Sequence, residues 1–171
     1  FSGSTSRVIA IQAQPNSCLR VISPGSIKVE KSLINYGVNL ISDPSLINLQ
    51  ETQRPLDIAA FGAEPVHGWC YYFEKTDLAL QKGDLATIVE NYDQVQKQSL
   101  TALQPVEWLP FIEGLGKAGK VADAFGISQQ VLTGKKVDED LISGVCSTWS
   151  RIEEINTSIE VTAAMKQLAC P

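Results

Sequence analysis

The sequence predicts a mainly α-helical chain: a short stack of antiparallel helical hairpins of the tetratricopeptide kind, with a small β-hairpin near the N terminus. Gly83 and Gly119 lie 36 residues apart, and each separates two segments with a helical apolar pattern. When the chain is aligned on these glycines, Tyr72 and Trp108 occupy the same position. An aromatic residue at a fixed distance from a turn, repeated at this period, is typical of tetratricopeptide-like repeats. Such hairpins stack because a single one leaves its apolar face uncovered.

The N-terminal residues carry two strand patterns with a turn between them. Apolar residues are spaced by two in residues 7–14, residues 15–17 are the turn formers Pro, Asn and Ser, and residues 18–22 form a second apolar run. Strands bounded by such a cluster predict a hairpin. Two strands are marginal alone, so we expect a helix to cover their apolar face.

Residues 28–68 connect this hairpin to the helical region. Apolar positions at three- and four-residue steps predict a helix over residues 28–41, which Gly37 weakens. Residues 50–68 contain several glycines and prolines and predict a long loop, a place where functional residues concentrate. The role of residues 28–54 stays open. We therefore divide the chain into a hairpin, helix and loop extension (1–68) and a helical repeat region (69–171), within one compact domain overall.

Six helices are expected in the repeat region, joined as three pairs, over residues 69–82, 85–97, 106–118, 120–132, 139–154 and 158–168. Gly83 can adopt the left-handed conformation that ends a helix, and Asp84 can cap the next one. Gly83→Val is expected to disrupt folding by several kcal/mol, through loss of the glycine turn and a clash at the hairpin corner. The last helix is expected to turn Ile159, Ala163 and Leu168 inward. The third pair lacks the repeat signature, as terminal repeats usually do.

The composition argues against nucleic acid and membrane partners. Acidic residues outnumber basic ones by 19 to 14, which gives a net charge of −5. Binding to a duplex or to an anionic membrane surface requires the opposite balance. No apolar run approaches the roughly 18 residues that span a bilayer, so we expect no direct membrane insertion. The chain begins at Phe1 without a methionine, and we expect it to be a fragment of a longer protein.

The four cysteines, Cys18, Cys70, Cys146 and Cys170, contain no C-x-x-C pair, which argues against zinc and thioredoxin-like sites. An even count favours disulfides. Pairing Cys18 with Cys170 would fix both ends of the domain, and Cys70 could then pair with Cys146. The latter two could instead be small buried apolar residues.

Few residues suggest chemistry. His67 is the only histidine, and with scattered carboxylates it supplies neither a metal site nor a catalytic pair. The acids Glu74, Asp77, Glu107 and Glu113 could act as paired carboxylates in glycoside cleavage, but solvated helix faces carry such residues routinely. We therefore assign no catalytic, cofactor-binding or metal-binding residue.

An interaction surface is the alternative use of these residues. Trp69, Tyr72 and Phe73 follow the spacing of a core stripe, whereas Tyr71 is expected to point outward and offer a flat contact. The candidate interaction surface therefore consists of Tyr71, His67, Glu74 and Glu113.

Several motifs resemble one family. Residues 68–75 (GWCYYFEK), 77–79 (DLA), 83–84 (GD) and 111–114 (FIEG), with 18–21 (CLRV) near the start, are similar to a segment that follows the last membrane span of certain large bacterial polytopic membrane proteins. Those proteins resemble lipid-linked-sugar glycosyltransferases of the dolichyl-phosphate-mannose type. The resemblance covers most of the chain, and residues 28–54 carry none of it. It implies a tetratricopeptide-like C-terminal module on the extracytoplasmic face of a bacterial membrane, and it transfers no catalytic residue.

Two functions of different class are consistent with the sequence. The first is a non-catalytic protein-interaction or scaffolding module, which contacts a protein partner or the membrane-embedded part of its own chain. The second is a carbohydrate-active or carbohydrate-binding domain that uses the 50–68 loop with His67 and nearby acids. A cofactor is expected for neither.

Overall fold

A computed structural model describes residues 8–22, 41–47, 62–63, 66–134 and 137–171. The chain divides into two compact units, Phe1–Ala13 with Leu19–His67 and Gln14–Cys18 with Gly68–Pro171, which we call the N-terminal and the helical unit. The described residues are mainly helical and include a small antiparallel β-hairpin, which confirms the predicted mainly α class and the N-terminal β-hairpin. Most of the predicted helix 28–41 and most of the predicted loop 50–68 lie outside the described residues.

The predicted β-hairpin is present in the N-terminal unit. Strand β1, Ala10–Gln12, pairs antiparallel with strand β2, Arg20–Ile22, so that Ala10 lies opposite Ile22. Both of these residues are buried. The Ala10 N–H donates to Oγ of Ser42 at 3.0 Å, which ties the hairpin to a segment that continues into a 3₁₀ helix at Pro44–Leu46.

Six α-helices lie in the described part of the helical unit: α1 Trp69–Lys82, α2 Leu85–Lys97, α3 Leu109–Lys117, α4 Val121–Leu132, α5 Glu139–Glu153 and α6 Ile159–Gln167. Their bounds confirm the predicted ones to within about a residue, with one exception. The segment before α3 is a 3₁₀ helix, Pro105–Trp108, and α-helical geometry begins at Leu109. Pro110 lies in the first turn of α3, where a missing N–H costs little.

The two glycine turns have the same hydrogen bonds. Gly83 has a φ of 72°, its N–H donates to the Leu80 carbonyl at 3.1 Å, and the Asp84 N–H donates to the Ala79 carbonyl at 2.9 Å. The corresponding bonds recur 36 residues later around Gly119, whose φ is 80°. This pattern is the Schellman motif, in which a left-handed residue satisfies the last carbonyls of a helix. Both predicted turns are confirmed.

The predicted clash at the Gly83 corner is wrong, because a Cβ atom built there meets nothing within 4 Å. Only the left-handed backbone then disfavours a side chain, so Gly83→Ala is expected to reduce the free energy of unfolding by about 1 kcal/mol. The matched control is Gly126→Ala inside α4, where the Cβ also meets nothing within 4 Å and φ is not positive. There alanine is expected to stabilise by about 0.5–1 kcal/mol. Urea denaturation measures both, and equal effects would contradict the turn assignment.

Helix α3 lies at the centre of the helical unit. It contacts α1, α2, α4 and α5, and it is buried from Pro110 to Gly116. A Cβ on Gly114 would lie 2.5 Å from Cδ1 of Ile88 in α2, and one on Gly116 would lie 2.5 Å from Cδ1 of Ile152 in α5. These distances leave no room for a side chain. The glycines therefore allow α2 and α5 to approach α3 closely.

The inward face of α6 differs from the prediction. Ile159 is 88% exposed, Ala163 is also exposed, and Leu168 is half-buried. The first two assignments were therefore wrong. The buried residues of α6 are Val161, Ala164 and Met165. They form one stripe, because Ala164 and Met165 follow Val161 by three and four residues. Leu168 continues this stripe at the next step of three, whereas Ile159 precedes it and lies on another face.

All four cysteines form disulfides, but both predicted pairings are wrong. Cys18 pairs with Cys70, and Cys146 pairs with Cys170, with Cα–Cα distances of 5.1 and 5.2 Å. Helices α5 and α6 pack as a hairpin, which brings the end of the chain back to Cys146. The first bridge joins the Gln14–Cys18 segment to α1. Only the second bond therefore joins residues that a helical hairpin brings together, and neither bond pins the two termini to each other.

Candidate functional site

Two of the predicted surface residues lie on α1. Tyr71 is half-buried, its ring meets Tyr72 edge-on at 5.1 Å, and Nζ of Lys75 lies 5.3 Å from its centroid. Glu74 is exposed. The rest of the aromatic cluster, Trp69, Tyr72 and Phe73, belongs to the core as expected. His67 is half-buried and belongs to the N-terminal unit.

Glu113, expected on the interaction surface, lies in the interior with 7% of its surface exposed. Nζ of Lys117 donates to one carboxylate oxygen at 2.7 Å, and Nη2 and Nε of Arg151 donate to the other at 2.6 and 2.9 Å. A charge can be buried in this way only when it is paired. The expectation fails because α5 packs on α3 and carries Arg151 over the position that would otherwise face solvent.

Because of the ion pairs of Glu113, the stability of the fold depends on pH in the acid range. Burial by itself raises the pKa of Glu113, but the hydrogen bonds and charges of Arg151 and Lys117 outweigh burial and hold the pKa below its ordinary value of 4.5. A depressed folded-state pKa means that the carboxylate stabilises the fold at neutral pH, and this contribution is lost as the pH falls below about 4.5 and through the lowered value.

We therefore expect Glu113→Gln to destabilise the protein at pH 7 and to flatten the decline in stability below about pH 4.5. Urea denaturation over a pH series measures both effects. The control is Glu90→Gln, which alters an exposed carboxylate on α2 and is expected to leave the acid dependence unchanged. A Glu113→Gln curve parallel to that of the unmodified protein would contradict the role of this pair.

Glu107 is the second buried acid, and only 3% of its surface is exposed. One carboxylate oxygen accepts from the Cys18 N–H at 2.9 Å. The other accepts from Nε1 of Trp69 at 2.7 Å and from the main-chain N–H groups of Leu103 and Gln104 at 2.9 and 3.2 Å. The carboxylate thus joins three separate segments of the helical unit.

Sequence reasoning missed this role, although one local signal was present. Glu107 is the third residue of a helical turn that begins at Pro105, the position from which a glutamate reaches back to the N-cap N–H. That signal explains the bond from Gln104. The bonds from Cys18 and Trp69 depend on tertiary packing, which no local pattern encodes.

These contacts limit what the acids can do chemically. Glu107 and Glu113 are saturated by structural donors, and the buried Asp77 accepts from the Gln81 side chain at 3.2 Å. Within the described part of the chain, no group of three or more His, Cys, Asp or Glu residues could hold a metal ion. The three buried acids, Asp77, Glu107 and Glu113, therefore hold neighbouring groups of the helical unit in place.

A cavity of about 550 Å³ opens between the C-terminal ends of α2 and α4 and the segment that leads to α3. We call it the Trp108 cavity, after the buried aromatic residue in its wall. Its described lining consists of Val95, Gln96, Ser99, Leu100, Thr101, Ala102, Leu103, Pro105, Trp108, Gln130, Val131 and Gly134. A second cavity, of about 400 Å³, lies between α4 and α6 and has mainly apolar walls. Both volumes lie in the range of small-ligand and peptide pockets.

Among the helices that the structure describes, none combines the length and the apolar character needed to cross a bilayer. Comparison of the chain with protein-family models, with curated proteins and with solved structures finds no match.

Proposed function

We propose that this chain is a non-catalytic protein-interaction or scaffolding module, and that it forms the C-terminal, extracytoplasmic tail of a membrane-embedded glycosyltransferase-like protein. The observation that carries the proposal is the packing of α3 between neighbouring hairpins. The hairpin of α1 and α2 packs against α3. Helix α5, which belongs to the hairpin of α5 and α6, also packs against α3. Stacked hairpins of this kind usually hold partners and do not carry out chemistry.

The turns support a tetratricopeptide-like arrangement within this proposal. The hydrogen bonds around Gly83 recur at Gly119 after 36 residues, and each pair of helices joined by these turns is in contact. The third turn departs from this pattern, because Asn156 donates its N–H to the Ile152 carbonyl at 2.8 Å without a glycine. Its side chain instead donates to the Gly116 carbonyl at 3.0 Å, which links the third turn to the second. An atypical last unit is expected of a short stack.

The disulfides support the proposed location. Cys18–Cys70 and Cys146–Cys170 engage every cysteine of the chain. Such bonds persist in oxidising compartments, including the extracytoplasmic side of bacterial membranes. The net charge of −5 is compatible with a protein partner and unfavourable for nucleic acid.

The test begins with the gene product upstream of Phe1, which the proposal expects to contain several membrane spans. That upstream part and the 171-residue chain are then produced as two polypeptides in the same cells, with an affinity tag on the chain. The proposal expects them to co-purify from detergent extracts. The double variant Tyr71→Ala/Glu74→Lys on α1 is expected to weaken co-purification, and Glu90→Lys on α2, also exposed, is the control.

Two results would contradict the proposal. One is an upstream product without membrane spans. The other is a chain that binds neither the upstream part nor another protein, yet binds an oligosaccharide on a glycan array and loses that binding in His67→Ala. The second result would support the carbohydrate-binding alternative, which relies on a loop mostly outside the described residues.

A further inference from the structure

We propose that the Trp108 cavity binds an extended, uncharged peptide segment of a partner protein. This inference rests on the proposed function, because it names the surface and the kind of partner segment that an interaction module would use. Three features of the cavity carry it: an indole N–H and two main-chain N–H groups that donate to none of the described residues, and a described lining that carries no charge.

The three tryptophans of the chain differ in what their indole N–H groups contact. Nε1 of Trp69 donates to Glu107 at 2.7 Å, and Nε1 of Trp149 donates to Oγ of Ser128 at 3.0 Å. Trp108 is equally a core residue, with 7% of its surface exposed, yet no described residue accepts a hydrogen bond from its Nε1. Buried tryptophans usually find such a partner. The acceptor for Trp108 can come from a bound molecule.

Nε1 of Trp108 also remains reachable. Among the described residues, Oγ of Ser158 is the only fully buried side-chain nitrogen or oxygen atom that lacks a hydrogen bond. Nε1 of Trp108 lacks one too, so it must retain contact with solvent. Trp108 forms part of the wall of the cavity. We infer that an acceptor reaches Nε1 from this side.

Main-chain donors lie in the same wall. The N–H of Leu100 is bonded to the Val95 carbonyl at 3.0 Å, and that of Leu103 is bonded to Glu107 at 2.9 Å. Between them, the N–H groups of Thr101 and Ala102 donate to no residue that the structure describes, and both residues line the cavity. A main-chain N–H group that no described residue accepts from can donate to a carbonyl of a bound peptide.

The lining favours a peptide over a carbohydrate or a charged ligand. Its described side chains are aliphatic, amide or hydroxyl groups apart from Trp108, and none carries a charge. A sugar would need an open aromatic face, but Trp69 and Phe111 pack on Trp108 with centroid distances of 4.5 and 5.5 Å. An uncharged peptide supplies carbonyls to the N–H donors and an aliphatic side chain to the apolar walls.

The test is a two-dimensional ¹H–¹⁵N NMR titration of the full chain with the capped tripeptide acetyl-Ala-Leu-Ala-N-methylamide. We expect saturable shifts of the Trp108 indole resonance and of the Thr101 and Ala102 amides. The indole resonances of Trp69 and Trp149, whose N–H groups are already bonded, are the internal controls and are expected to stay in place. Maltose and the same peptide with aspartate in place of leucine are expected to cause no saturable shift.

Two variants of the lining and one control are used, so that the test does not depend on the folding of a single variant. Trp108→Phe removes the donor and is expected to weaken binding about tenfold, the equivalent of one hydrogen bond. Gln130→Ala alters an exposed residue of the lining and is also expected to weaken binding, whereas its neighbour Gln129→Ala, which is exposed outside the lining, is not. Unmoved resonances, a response to maltose alone, or equal shifts at all three tryptophans would overturn the proposal. If the peptide does not bind in the cavity but the chain co-purifies with the upstream membrane part, only the inference about the cavity is contradicted, and the proposed function stands.

Discussion

Replacing Glu107 with alanine is expected to reduce the free energy of unfolding of the helical unit by about 2–6 kcal/mol, because it leaves two buried N–H donors unsatisfied. Four N–H groups donate to this carboxylate, and they come from Cys18, Trp69, Leu103 and Gln104. Alanine leaves all of them without an acceptor, and each buried unsatisfied donor costs about 1–3 kcal/mol. Urea denaturation followed by far-ultraviolet circular dichroism measures the change.

Glu107→Gln separates hydrogen bonding from the size of the side chain. The amide oxygen can replace the carboxylate oxygen that accepts three bonds, but the amide NH₂ then faces the Cys18 N–H. We therefore expect glutamine to cost roughly half as much as alanine. Glu90→Ala, at an exposed site on α2, is the control and should change stability by less than about 0.5 kcal/mol. A Glu107→Ala variant as stable as this control would contradict the bridging role.

Removing either disulfide is expected to have an effect of similar size. The Cys18–Cys70 bond closes a separation of 52 residues, and the Cys146–Cys170 bond closes one of 24. The chain-entropy model gives stabilisation of about 4 and 3.5 kcal/mol for loops of these lengths. The paired serine variants, Cys18→Ser/Cys70→Ser and Cys146→Ser/Cys170→Ser, should each lower the denaturation midpoint, and addition of reductant should lower it in the unmodified protein.

The pairing itself can be checked without variants. Proteolysis without reduction, followed by mass spectrometry, should yield one linked peptide pair that contains Cys18 and Cys70 and another that contains Cys146 and Cys170. Linked peptides that join Cys18 to Cys170, or four free thiols, would contradict the structure. Four free thiols would also remove the support for an oxidising compartment.

The helices could be predicted because the signals that begin and end them are local. Asp84 accepts from the Thr87 N–H at 3.1 Å, and Asp138 accepts from the Leu141 N–H at 2.8 Å, so each caps the helix that follows it. Gly83 and Gly119 adopt the left-handed conformation that few other residues tolerate. Such signals depend on a few neighbouring residues, and for this reason the bounds agree so closely.

The candidate site could be predicted only in part, because its features depend on distant residues. Trp69, Tyr72 and Phe73 belong to the core, as the spacing indicated, whereas Tyr71, which was expected to point outward, is half-buried beside them. The burial of Glu113, however, depends on an arginine 38 residues away. That no described residue accepts a hydrogen bond from the indole N–H of Trp108 also depends on which distant residues pack around it. Periodicity identifies a buried residue, but it does not identify its partner.

The close packing of neighbouring hairpins against α3 is the basis of both proposals, and a double-mutant cycle tests it directly. A Cβ on Gly116 would lie 2.5–2.9 Å from the side-chain atoms Cδ1, Cγ1 and Cγ2 of Ile152. Gly116→Ala should therefore destabilise the protein by about 1–3 kcal/mol, although alanine favours helix at an open site such as Gly126. Ile152→Ala removes the obstructing atoms and leaves a cavity that the new methyl group can partly fill.

The decisive measurement is the free energy of unfolding of the unmodified protein, the two single variants and the double variant Gly116→Ala/Ile152→Ala. We expect the double variant to be more stable than the sum of the single effects indicates, by about 1 kcal/mol or more. Additive effects, within about 0.5 kcal/mol, would mean that α3 and α5 are not in contact at this point. That result would contradict the stacked arrangement.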